Sequence, residues 1–119
     1  MPRSLDHIAL MVSDPARTAQ LFAKVFDDAR IERGADDGDG DHDTQVRLGG
    51  VCLVLVRGAP PAARNGDHIG FAVSKAEFAA CAERLRAAGI EVLMARGDSA
   101  LYFDDYDNHV FELDVAVEG

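Results

Sequence analysis

Apolar positions along this chain fall into short alternating runs and two helical stripes, and their order repeats. "DHIALMV", from Asp6, alternates with a period of two, the mark of a half-buried strand. It leads into "SDPARTAQLFAKVF", where Leu21, Phe22, Val25 and Phe26 make one helix face. Ser13 or Asp14 is placed to cap that helix, with Pro15 in its first turn. From Asp67, "DHIGFAV" restarts the same pattern. The second helix opens with the capping-box sequence Ser74-Lys75-Ala76-Glu77 and stops near Gly89.

Three further strand-like runs follow each strand–helix pair. In the first half they are a weak run at Ala29–Arg33, then Thr44–Leu48 and Val51–Val56 joined by the tight turn Gly49-Gly50. In the second half they are Ile90–Ala95, Ala100–Asp104 and His109–Val115. The pattern predicts an α+β fold of two tandem βαβββ modules, about 4–57 and 67–116. The Pro/Gly-rich stretch "GAPPAARNG", 58–66, is the linker.

The chain has 119 residues, one domain's worth, with 48% hydrophobic and 28% charged residues, which is a globular composition. No apolar run approaches the roughly 18 residues of a membrane span, and the N-terminus lacks a signal-peptide pattern. A cytoplasmic location is expected. The net charge of −9 argues against nucleic acid or an anionic membrane as partner and leaves a small molecule as the expected one. Cys52 and Cys81 lie in apolar stretches without metal-type spacing and read as buried reduced thiols.

Charge in the last strand changes this picture. Glu112 sits among Val110, Phe111, Leu113 and Val115, where an unpaired buried carboxylate costs several kcal/mol. In the first strand of each module, Ile8, Leu10, Val12 and Ile69, Phe71, Val73 form the bulky faces expected against the helices. His7 and His68 occupy the opposite faces, at equivalent positions of the repeat. Two imidazoles and a carboxylate suit a divalent metal with open coordination positions, and a metal ion would compensate the Glu112 charge. His109 belongs to the turn "DYDNH" and is expected exposed or holding that turn. The acidic loop "DDGDGDHD" departs from a calcium loop: counted from Asp37, the sixth position is His42 rather than glycine and the twelfth is Leu48 rather than glutamate.

The duplicated βαβββ order, the placement of His7, His68 and Glu112, and the stretches "LDHIALMVSD", "VFDDARI", "DHIGFAV", "AERLRAAGIEV" and "LYFDDYDNHVFEL" resemble the vicinal oxygen chelate superfamily. That superfamily includes glyoxalase I, extradiol dioxygenases and fosfomycin-resistance enzymes, and the likeness is closest to the manganese-dependent epoxide-hydrolase type of fosfomycin resistance. The resemblance implies a cup-shaped mixed sheet around the metal and a homodimer whose sites are shared, with His7 from one chain joining His68 and Glu112 from the other. It implies Mn²⁺ as the favoured ion, with Fe²⁺, Zn²⁺, Ni²⁺ or Co²⁺ as alternatives. Asp43 takes the place of the hydrolase's catalytic glutamate. Tyr102 and Ser99 are candidate hydrogen-bond donors to substrate, and Arg47 and Arg96 candidate cations for an anionic group.

Matching "VCLV" to "VFEL" puts Leu53 opposite Glu112, so the fourth ligand of a glyoxalase site is missing. The family's threonine after the first histidine is Ala9, its tyrosine before the second is Gly66, and its phosphonate-binding serine is Ala100, with Ser99 one position earlier. The expected activity is metal-activated opening of a small epoxide or similar oxygen-rich electrophile. Ring cleavage of the extradiol type, a glyoxalase-like lyase reaction, and non-catalytic small-molecule binding are the alternatives.

Overall fold

Ten elements follow one another in the computed structural model, which describes residues 1–33 and 44–116. They are β1 (His7–Val12), α1 (Pro15–Val25), β2 (Arg30–Arg33), β3 (Thr44–Leu48), β4 (Val51–Arg57), β5 (His68–Val73), α2 (Lys75–Ala87), β6 (Leu93–Ala95), β7 (Ala100–Asp104) and β8 (Val110–Val115). The chain divides into two compact units, Met1–Pro60 and Pro61–Gly119. Each holds one βαβββ module with a mixed four-stranded sheet, ordered β1-β4-β3-β2 in the first and β5-β8-β7-β6 in the second. In each sheet the first strand pairs parallel with the last, and the other pairings are antiparallel.

Local chemistry accounts for the element ends. The Asp14 side chain accepts from the Arg17 N–H and caps α1, with Pro15 just inside it. Ser74 and Glu77 complete a reciprocal capping box on α2. At the other end of α2, Gly89 adopts φ 79° while its N–H bonds to Arg86 and the Ile90 N–H bonds to Leu85. That closure is a Schellman motif. It commits Ile90 to the helix cap, so the strand expected from Ile90 begins only at Leu93. Gly49 and Gly50, at φ 58° and 78°, form the hairpin turn between β3 and β4 that both left-handed positions demand.

The alternation read from sequence sorts each sheet into two faces. In the first unit Leu10, Val12, Val46, Leu48, Leu53 and Leu55 are buried on the face that α1 covers with Leu21, Phe22 and Val25. In the second, Leu101, Phe103, Phe111 and Leu113 meet Phe78, Cys81 and Leu85 of α2. Phe103 and Phe111 stack at 5.3 Å between centroids. The helix-side residues of β5, Ile69, Phe71 and Val73, are half-buried rather than fully covered. Both cysteines are buried, and neither forms a disulfide.

Strand register corrects one expectation. His7 lies opposite Cys52 and Ala9 opposite Val54, whereas His68 lies opposite Val110 and Gly70 opposite Glu112. Taking the histidines as equivalent, the counterpart of Glu112 is Val54, one residue beyond Leu53. Leu53 is fully buried toward α1, on the wrong face to reach the histidine side of its sheet. The inference that no carboxylate stands at this position of the first module is unchanged.

The turn between β7 and β8 is organised by Asp105, whose side chain is fully buried. It accepts from the Asp107 N–H at 2.8 Å, from the His109 N–H at 2.9 Å and from the His109 ring at 2.8 Å. His109 therefore holds the turn and begins no strand. Asp105→Ala would leave three donors without this acceptor, and a loss of about 2–4 kcal/mol in urea unfolding is expected. An unchanged midpoint would show that water replaces the carboxylate.

Candidate metal centre

The residues that alternation places on the open sheet faces carry the candidate chemistry, and each unit presents its own set. In the first unit His7 is exposed on β1, and its Nδ1 lies 2.8 Å from the Asp6 carboxylate. A carboxylate accepts, so Nδ1 carries the proton and Nε2 keeps its lone pair in the neutral ring. Across the same face, Cys52 lies opposite His7 on β4, and Arg47 of β3 lies opposite Cys52. The Arg47 guanidinium donates to Glu32 at 3.1 Å, so this candidate substrate cation already has a carboxylate partner. The Cys52 thiol faces the Gln45 amide oxygen at 3.5 Å.

The second unit holds the denser cluster. His68 Nδ1 lies 3.0 Å from the Gly66 carbonyl oxygen, which can only accept. The proton is thus on Nδ1, and Nε2 points at Glu112 Oε1, 3.1 Å away. A carbonyl that fixes the far nitrogen is the usual support of a metal-ligating histidine. The Glu112 side chain is only 8% exposed. With a neutral ring, the Nε2 lone pair and the carboxylate lone pair face one another unless a cation lies between them. A divalent ion and an Nε2 proton are the two species that satisfy this arrangement, so the donor set fits a metal.

Arg96 and Asp114 complete the surroundings. One Arg96 Nη atom donates both to Glu112 Oε2 and to Asp114 Oδ1. Tyr102 lies directly opposite Glu112 in the β7–β8 ladder and joins this hydrogen-bonded group. Its ring stands edge-on to His68, 5.6 Å between centroids. A hydrogen bond from Asp114, then the Arg96 guanidinium, hold the Glu112 carboxyl at about 2, against the opposing effect of burial. Asp114 moves the other way, raised by its hydrogen bond to Glu112 and by burial. The lowered value means that Glu112 contributes stability above pH 4.5 that is lost as pH falls toward about 2. Asp114 contributes with the opposite sign, favouring the fold while it holds its proton.

The structure thus brings His68, Glu112, Tyr102 and Arg96 together in one unit and places His7 and Arg47 in the other. Ser99, a candidate donor to substrate, spends its hydroxyl on the Arg96 carbonyl at 2.8 Å within the β6–β7 turn. Asp43 and His42 lie outside the described residues. Among the described residues, no three histidine, cysteine, aspartate or glutamate side chains are grouped to hold a metal ion. The involvement of Arg96 and Asp114 with Glu112 was missed by sequence reasoning. Asp114 carried one signal, its place two residues along the same strand face. Arg96 carried none, being 16 residues away at a turn.

Paired βαβββ modules, each with a histidine leading its first strand and one with a buried glutamate on its last, define a duplicated metal-chelating domain. The chain belongs to the Glyoxalase/Bleomycin resistance protein/Dioxygenase superfamily, whose pattern matches residues 4–113. A fosfomycin resistance protein FosX from Listeria innocua is 29% identical, across 95% of this chain and 90% of that protein. The crystal structure of FosX from Mesorhizobium loti superposes with a TM-score of 0.85 at 28% identity, covering 98% of this chain and 94% of that one. FosX from Listeria monocytogenes, complexed with Mn(II) and sulfate, gives 0.82 at 26% identity over 98% and 93%. A mutant of that protein was crystallised with Mn(II) and 1S,2S-dihydroxypropylphosphonic acid, at 27% identity and a TM-score of 0.82.

Proposed function

We propose that this protein is a divalent-metal-dependent hydrolase that opens a small epoxide, with Mn²⁺ the favoured ion and fosfomycin the first substrate to test. The observation that carries the reading is the pairing of His68 with the buried Glu112. The imidazole is fixed by Gly66 so that its free nitrogen addresses the carboxylate. Likeness to FosX supports the substrate class, because a vicinal diol of propylphosphonate is what water addition across an epoxide gives.

His7, His68 and Glu112 would hold the ion, with His7 supplied by a second copy of the chain in a homodimer. Apolar Met11 and Leu93 on the open faces, each more than two-fifths exposed, are consistent with a surface that a second copy covers. The ion, when bound, polarises the epoxide oxygen as a Lewis acid. Asp43 takes a proton from water as general base. The water oxygen forms a new bond to an epoxide carbon as that carbon's bond to the ring oxygen breaks. The released alkoxide then takes up a proton, giving the diol. Tyr102, beside His68, would donate to the departing oxygen, and Arg96 would meet an anionic substituent; Arg47 and Ser99 could do so only by leaving Glu32 and the Arg96 carbonyl. A cytoplasmic location fits such a role, and no described helix is long and apolar enough to cross a membrane.

The test is turnover of fosfomycin with added Mn²⁺, with and without glutathione. Metal-dependent diol formation without the thiol is expected, and Asp43→Asn should lower kcat by about 10²–10⁴-fold at unchanged Mn²⁺ affinity. Full activity in Asp43→Asn removes the base assignment. A product that forms only with glutathione replaces hydrolysis by thiol transfer.

A further inference from the structure

Glu112 has two oxygens, and both are engaged in the second unit before any ion is considered. Oε1 faces His68 Nε2, and Oε2 accepts from Arg96, which reaches Asp114 through the same nitrogen. We propose that Arg96 is the resident counter-cation of the metal position: it neutralises Glu112 in the metal-free chain and releases it when a divalent ion binds. The inference rests on the metal reading above and adds a competitor that sets the affinity.

Two observations and one electrostatic argument support exchange rather than permanent pairing. The Arg96 side chain is 57% exposed while that of Glu112 is 8% exposed, so the guanidinium can leave for water and the carboxylate cannot. The backbone of Arg96 is fixed independently of its side chain. It sits at φ 49° beside Gly97 at φ 68°, and its carbonyl accepts from both the Ser99 N–H and the Ser99 hydroxyl. Releasing the guanidinium therefore disturbs no strand pairing. Finally, a guanidinium and a divalent cation at one carboxylate repel each other, and a desolvated carboxylate gives that repulsion little screening. Occupancy by Arg96 then lowers the apparent metal affinity by the fraction of chains in which Glu112 is free.

The experiment compares wild type, Arg96→Gln and Arg96→Lys by calorimetric titration with Mn²⁺ and by thermal unfolding with and without saturating Mn²⁺. Exchange predicts that Arg96→Gln lowers Tm in the metal-free state only, leaves the Mn²⁺-loaded Tm at the wild-type value, and tightens Mn²⁺ binding about tenfold. Arg96→Lys keeps the charge on a shorter, more strongly hydrated ammonium that gives up Glu112 more readily, so it should also bind Mn²⁺ more tightly than wild type. Charge repulsion without exchange predicts no gain for lysine, and that result overturns the proposal. So does an equal fall in Tm for loaded and metal-free Arg96→Gln, which would mean that the pair persists beside the ion. If neither wild type nor Arg96→Gln takes up Mn²⁺, the metal centre itself is wrong, a failure distinct from equal binding by both.

Discussion

Glu112→Gln is expected to fold normally and to lose Mn²⁺. The glutamine amide can accept from Arg96 through its oxygen and donate its NH₂ to the lone pair of His68 Nε2, so both neighbours keep a partner. Volume is preserved, and a shift in Tm of only a few degrees is expected. The metal would lose the anionic ligand proposed for it. Changes one shell further out already cost about 10–100-fold in metal affinity, so a loss of at least ~10² is the minimum expectation here. Turnover should fall by about 10³-fold or more, equivalent to about 4 kcal/mol of transition-state stabilisation. Calorimetric titration decides the matter: Mn²⁺ affinity within threefold of wild type would remove Glu112 from the ligand set, whatever the activity.

Phe111→Ala should produce the largest change in stability. Phe111 precedes Glu112 on β8 but points the other way, is fully buried and stacks on Phe103. Deleting a buried aromatic ring costs about 3–5 kcal/mol, from lost transfer energy and the cavity left behind. Against a typical total of about 5–15 kcal/mol, that is a large fraction. For a chain of this size the expected fall in Tm is on the order of 10–20 °C. Phe111→Leu, which retains most of the volume, should cost far less. A fall in Tm below about 3 °C for the alanine variant would mean that α2 collapses onto β8 and fills the space.

These two variants on adjacent residues separate what the amino-acid order settles from what it leaves open. Period-two alternation assigns Phe111 to the core and Glu112 to the opposite face without reference to any other strand. The caps at Asp14 and Ser74, the left-handed stops at Gly89 and Gly49-Gly50, and the doubled "DHI" motif are equally local, and they determine the order βαβββ twice. The histidines at the head of each first strand, and the residue types of the candidate metal site, are legible for the same reason. Local chemistry repeats wherever the sequence does.

Register and charge partnership are not local. Alternation tells which face a residue takes but not which residue lies beside it. That is why Val54, and not Leu53, proves to be the counterpart of Glu112, since the ladder is fixed by hydrogen bonds running the length of β1 and β4. Ile90 illustrates the competition within one segment: its N–H can serve a strand or close the end of α2, and the helix cap takes it. Only the packed second unit places Arg96 against Glu112 and Asp114, because a long flexible side chain finds its carboxylates through space and leaves no periodic trace in the sequence. The sequence alone determined the duplicated fold and the residue types of the candidate metal face. Tertiary structure decided that Arg96 is the cation paired with Glu112, since a buried carboxylate needs a charged partner and only the fold brings this one to it.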